Sequence, residues 1–140
     1  MGMNGLAILH PRKLVVYELS PKGAKSGQAS YYSLVKLYEH DLGMKGKHFT
    51  SYNMICGSFG GIKGKDLIMV QSMDGKWQFF EDSAIAFTTQ LSDCLLPGPI
   101  AYLPRIDAFV TCTHACRAEC YKYQVLVNAQ NDNDIVNGLK

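Results

Sequence analysis

Between Thr111 and Cys120 the sequence reads TCTHACRAEC, three cysteines and a histidine within ten residues. Two chemistries are open to such a cluster. Zinc would take Cys112, His114, Cys116 and Cys120 together, with sulfur and nitrogen converging on the ion at about 2.0–2.3 Å. A cysteine nucleophile would pair Cys112 or Cys116 with His114 as its base, and would need an aligning third group and an oxyanion hole. The backbone decides between them. On a helix, Cys116 and Cys120 share a face and can meet one ion. On a strand, four residues cover about 13 Å and cannot, and Cys112 and His114 would stand about 7 Å apart. No Cys-x-x-Cys pair occurs in the chain.

What the cluster can do is therefore set by the elements that carry it. The chain has 140 residues, 47% apolar and 19% charged, which is enough to bury a core and unlike a disordered composition. With 14 basic and 12 acidic residues the net charge is +2 and no Lys/Arg run stands out, so no nucleic-acid partner is expected. The longest clean apolar stretches, LAIL and LIMV, fall far short of a membrane span. The segment MGMNGLAILHPRK lacks the basic n-region and long apolar run of a secretory leader. Leu6 stands where a myristoylation signal has Ser or Thr, so no lipid is expected at Gly2. Five cysteines, an odd number without an export signal, predict reduced thiols in a cytoplasmic protein.

Short runs rich in Val, Ile, Phe and Tyr, punctuated by Gly, Pro, Asp and Ser, predict strands almost throughout. They fall at Leu6–Leu9, Lys13–Leu19, Tyr31–His40, Tyr52–Gly57, Asp66–Ser72, Lys76–Glu81, Ala84–Leu91, Ile100–Leu103, Ala108–Thr113 and Glu119–Leu126. Asp74-Gly75 in SMDGKW predicts a tight hairpin with both central residues at positive φ. LAILHPRKLVVYEL, LIMVQSMDGKWQFF and FVTCTHACRAECYKY each read as strand, turn, strand. Phe109 follows Leu67 by 42 residues, the spacing of propeller blades. Leu67 follows Leu6 by 61, with the Gly/Ser/Lys-rich loop Ser20–Ser30 accounting for much of the excess. Strands such as LIMV are apolar on both faces, as blades covered on both sides require. LLPGPIAYLP reads as the connection from the outer edge of one blade to the inner strand of the next. The expected fold is all-β: a partial β-propeller of about two and a half four-stranded antiparallel blades over residues 1–127, with a polar, disordered tail over 128–140.

Other signals weigh toward structure. GSFGGIKGKD has Phe59 where a phosphate loop needs Gly and Asp66 where it needs Ser or Thr, and it leads into a strand, so its glycines are expected to serve turns. His10, His40 and His48 fall at turns or strand ends, and Glu81-Asp82 at a turn; all are expected to be solvated. Cys56 and Cys94 are expected to act as small apolar residues. Alternation places Trp77 and Phe79 on one face and Phe80 on the other, all three packing between blades.

CGSFGGIKGKDLIMVQSMDGKWQFFE, together with LAILHPRKLVVYEL, LLPGPIAY and YKYQVL, closely resembles the N-terminal β-propeller of the Bardet–Biedl syndrome protein nine family, the parathyroid-hormone-responsive subunit of the BBSome. The resemblance runs from about Leu6 to Leu126 and breaks at Ser20–Ser30 and around Gly43–Thr50. It implies a non-enzymatic scaffold whose partners are other BBSome subunits. It implies a place in the cytoplasm and, through the complex, at the cilium, its base and its membrane, where the coat moves membrane proteins; contact with the membrane would be indirect. It brings no cofactor and no metal. Family members are several times longer, with an earlier part of the propeller and later ear-like, platform and helical regions. The rival readings are a small zinc-binding β module built on Cys112–Cys120, or a cysteine enzyme.

Overall fold

The computed structural model describes residues 5–22, 31–42, 50–91 and 93–129. Among these, ten strands form three antiparallel sheets. The first sheet contains β1 (Gly5–His10), β2 (Lys13–Lys22) and β3 (Tyr31–Asp41) in sequence order. The second contains β4 (Ser51–Gly57), β5 (Leu67–Ser72), β6 (Lys76–Glu81) and β7 (Ala84–Gln90), and the third β8 (Ile100–Leu103), β9 (Ala108–Cys112) and β10 (Ala118–Lys122). Inner strands approach one another, β1 beside β4 and β4 beside β8, so the sheets fan out as propeller blades do. The fold is an all-β, propeller-like stack. Its ten strands divide as one complete blade between two three-stranded ones. The chain from Leu91 to Pro99 runs from the outer strand β7 to the inner strand β8, as LLPGPIAYLP predicts.

Alternation along β5 and β6 explains why the middle sheet is covered on both sides. Leu67, Met69, Trp77 and Phe79 pack with Phe59, Phe109 and Leu126 in a core shared with the third sheet. Val70 and Phe80 pack with Leu14 and Leu42 in a smaller core shared with the first sheet. Phe79 and Phe80 lie on opposite faces, as expected, and the bulge beside them falls on β7 between Ile85 and Phe87. The larger core is aromatic: Phe79 stacks on Phe87 at 4.2 Å, and Trp77 meets Phe109 edge-on at 5.8 Å. Such pairs contribute about 0.5–1.5 kcal/mol each beyond the area they bury.

The C-terminal end differs from the sequence expectation. The strand predicted over Glu119–Leu126 stops at Lys122, and residues 123–129 form a short helix, α1. Helical spacing lets Leu126 enter the larger core beside Tyr123, while Gln124 donates to Asn128 at 3.0 Å across one turn. The helix runs across the expected boundary between residues 127 and 128; residues 130–140 of the expected tail lie outside the described residues, as do Gly2, His48, loop residues 23–30 and residues 43–49. No described helix is long and apolar enough to cross a membrane.

Candidate interaction surface

The cysteine cluster lies on a hairpin. Cys112 ends β9, Cys120 lies in β10, and His114, Ala115 and Cys116 form the loop between Thr113 and Arg117. Thr113 N donates to the Arg117 carbonyl at 2.8 Å, and Cys116 N donates to the Thr113 carbonyl at 3.1 Å. Cys112 pairs with Ala118, and Cys120 with Val110, so the two strand thiols are a diagonal step apart. Among the described residues no three His, Cys, Asp or Glu side chains are grouped to hold a metal ion. All five cysteines are free thiols.

The middle sheet repeats this hairpin with different residues. Met73, Asp74 and Gly75 form a three-residue loop between Ser72 and Lys76, and Gly75 N donates to the Ser72 carbonyl at 3.1 Å. This corrects the sequence expectation. Gly75 has φ 82°, but Asp74 is not among the positive-φ residues. The loop is the type I turn followed by a left-handed residue that suits three-residue hairpins. Asp74 acts through its side chain: it accepts from Ser72 Oγ, from Lys76 N at 3.4 Å and from Lys76 Nζ at 2.6 Å. Burial would raise its carboxyl, but Lys76 and Ser72 outweigh that and hold it below the usual carboxylate range. Ser72 Oγ also receives Lys76 N at 3.2 Å, just as Thr113 Oγ1 receives Arg117 N at 3.4 Å. A hydroxyl residue four positions before a basic one thus marks both turns, a signal present in the sequence but not drawn from it.

Cys116 occupies the place of Gly75, at φ 56°. A side chain there carries the left-handed backbone penalty of about 1–2 kcal/mol. The thiols differ in setting. Cys94 is buried in the larger core, and desolvation followed by the charge of Asp93 pushes its thiol up. Cys56 is exposed as a residue, yet desolvation within a cleft and the charge of Asp66 push its thiol up as well. A raised thiol is protonated at neutral pH and a poor nucleophile. The cleft, about 260 Å³, lies between the first two sheets and is lined by Ala7, Leu37, Tyr38, Cys56, Asp66 and Asp82.

Other sequence-singled residues hold the sheets together. His40, expected to be solvated, lies against Phe80 with ring centroids 4.6 Å apart, because β3 pairs it with Leu14 on the covered face. Glu81 forms an ion pair with Lys65, and Asp82 takes a left-handed turn at φ 49°. In the Gly-rich segment, Gly60, Gly61 and Gly64 have φ of 80°, 71° and 78°, and the segment runs into β5. Asp107 fastens that segment to the third sheet, a contact the sequence reading missed. Its Oδ1 accepts from Gly60 N at 3.0 Å and from Tyr102 Oη at 2.7 Å.

The outer faces of the first and third sheets expose apolar side chains. On the first, Leu19 pairs with Leu34 across β2 and β3, and they are 43% and 49% exposed. Leu6 continues that face and is 41% exposed. A bulge at Leu37 keeps Leu34 and Lys36 on it while Tyr38 and His40 turn inward. On the third sheet, Ala101, Val110 and Cys120 form one cross-strand row on the face opposite Tyr102, Phe109 and Tyr121. Ala101, Leu103 and Cys120 are exposed there. No described element covers either face.

Stacked antiparallel sheets with converging inner strands define a propeller-like segment. The family model described as PTHB1 N-terminal matches residues 1–138, and the chain belongs to that family. Protein PTHB1 of Xenopus laevis is 46% identical over 124 residues, covering 89% of this chain and 14% of that protein. The Mus musculus and Homo sapiens proteins of the same name are each 45% identical over 127 residues, covering 91% of the chain and 14% of their own length. The chain thus spans about 14% of the curated relatives it matches.

Proposed function

We propose that this chain is a non-enzymatic interaction segment of a BBSome subunit, carrying part of the propeller through which that subunit is held among its neighbours. The supporting observation is the family match over residues 1–138, on a fold whose outer sheet faces expose apolar side chains such as Leu6, Leu19, Leu34 and Leu103. In this reading the partners are other BBSome subunits. The place of action is the cytoplasm and the cilium, and membranes are reached only through the complex, during the transport of ciliary membrane proteins and the assembly of cilia. Burial at a few apolar anchors, rather than chemistry at a site, carries such a role.

Affinity capture from ciliated cells tests it, with a tagged full-length mouse protein PTHB1 as the positive control. The expected result is recovery of other BBSome subunits with this chain, in lower yield than with the control. Their absence from the chain's eluate, when the control recovers them, would overturn the reading.

A further inference from the structure

We infer that the cleft between the first and second sheets is a docking site for an arginine side chain on an extended segment of a partner protein. This adds a contact to the proposed function without resting on it, because the purified chain alone should bind. The cleft lies between two neighbouring sheets, not on an outer face. Ala7, Val16, Leu37 and Ile68 give it apolar walls, and its charged lining residues are Asp66 and Asp82. At about 260 Å³ it is smaller than the roughly 300–1,000 Å³ of sites that enclose a small-molecule ligand, which leaves room for one long side chain.

Strand register explains where the charge sits. β5 and β6 pair Ile68 with Phe80, and continuing that register by two residues sets Asp66 across from Asp82 where the strands part. Like charges placed opposite one another repel, so a cation between them is favoured. Among the described residues neither carboxylate has an ion-pair or hydrogen-bond partner. The neighbouring Lys65 is paired with Glu81, and His40 Nε2 lies 3.3 Å from the Asp82 carbonyl oxygen, not from its carboxylate. Both charges reach into the cleft. Burial and then the charge of Asp66 push the Cys56 thiol up, while burial and then the charge of Asp82 push the Tyr38 hydroxyl up. Arginine suits this arrangement. Its apolar stem lies along the walls while its planar guanidinium presents donors to two carboxylates at once. Weaker hydration and the Tyr38 ring favour it over lysine.

NMR of the isotope-labelled chain tests this, with the peptide acetyl-Gly-Arg-Gly-amide as the probe. The amides of Cys56, Ile68 and Asp82 should shift saturably, with a roughly millimolar Kd. Citrulline in place of arginine keeps the shape and loses the charge; that peptide should bind at least about tenfold more weakly, and a lysine peptide about threefold. Asp66→Asn and Asp82→Asn should each weaken binding at least about threefold. Asparagine tolerates the left-handed φ of 49° at residue 82, so circular dichroism should match the wild type. If a variant misfolds, iodoacetamide labelling of the wild type gives a second readout: the arginine peptide should slow labelling of Cys56 and leave the exposed Cys116 unaffected. No saturable shift, citrulline or lysine binding as tightly as arginine, a folded Asn variant that binds like the wild type, or an unprotected Cys56 would each overturn the inference. Butylguanidinium binding more tightly than the peptide would assign the cleft to a free small molecule and overturn it as well.

Discussion

Gly75 and Cys116 close equivalent turns with one backbone and two different residues. A Cβ built on Gly75 would stand 2.9 Å from Gln90 Nε2 and 3.4 Å from both Cys94 Sγ and the Leu91 carbonyl oxygen. Gly75→Val therefore meets a crowded site as well as a left-handed φ, and should lower stability by at least about 1–2 kcal/mol in urea unfolding. An unchanged midpoint would contradict the turn geometry. Cys116 carries that backbone penalty already and is exposed. Cys116→Gly should raise the urea midpoint by about 1 kcal/mol of stability, because relief of the left-handed strain exceeds the added chain entropy. A loss of stability would show that the Cys116 side chain does something in the hairpin that the geometry does not reveal.

At the scale of elements, two tyrosine hydroxyls of the third sheet make a pH-dependent prediction. Tyr102 is pushed up to about 12, first by burial and then by its hydrogen bond to Asp107 and that carboxylate's charge. Tyr121 is likewise pushed up to about 12, by burial and then by its hydrogen bond to Glu119. The unfolded chain releases these protons near the ordinary value of 10.0. The folded state binds more protons between the two values. Its tyrosine contribution is therefore complete below about pH 10 and lost as pH rises toward 12. Urea midpoints measured between those limits should fall steadily, and less steeply for Tyr102→Phe. A variant as pH-sensitive as the wild type would contradict the assignment.

The strands themselves were largely legible in the sequence. Val, Ile, Phe and Tyr runs between turn residues marked each one, and alternation placed Trp77 and Phe79 opposite Phe80. Three features were not legible, each for a physical reason. YKYQVL carries β-forming residues, yet Leu126 gains more by entering the core from a helix, so tertiary burial overrides propensity there. The Asp-Gly pair does not reveal whether a loop has two residues or three; hydrogen bonds through Ser72 and Asp74 decide that. The bulge at Leu37 has no local marker, because it answers pairing with β2. For the candidate site, the strand–turn–strand pattern of FVTCTHACRAECYKY was enough to place the cysteines on a hairpin, but the equivalence of Cys116 with Gly75 needed coordinates.

Among the described residues, the sheets form a stack whose middle sheet is covered on both faces and whose outer sheets are each covered on one. Stability should be distributed accordingly. Phe79→Ala, in the middle of the aromatic core, should cost about 3–5 kcal/mol, a large share of a domain's typical 5–15 kcal/mol. Leu34→Ala, on an open face, should change stability by no more than about 0.5 kcal/mol. Equal costs at the two positions, measured by urea unfolding, would mean that burial is not arranged in this way.

Trp77 reports on that arrangement most directly. It is the sole tryptophan of the chain, it is 1% exposed, and it packs on Phe109 and Tyr121 of the neighbouring sheet. Fluorescence quenching by iodide, on the native chain and again in urea, reads its cover without ambiguity. A stacked middle blade predicts blue-shifted native emission, resistant to iodide, with a red shift and full quenching only after unfolding. Red-shifted, readily quenched emission from a chain that is β-rich by circular dichroism would contradict the stack.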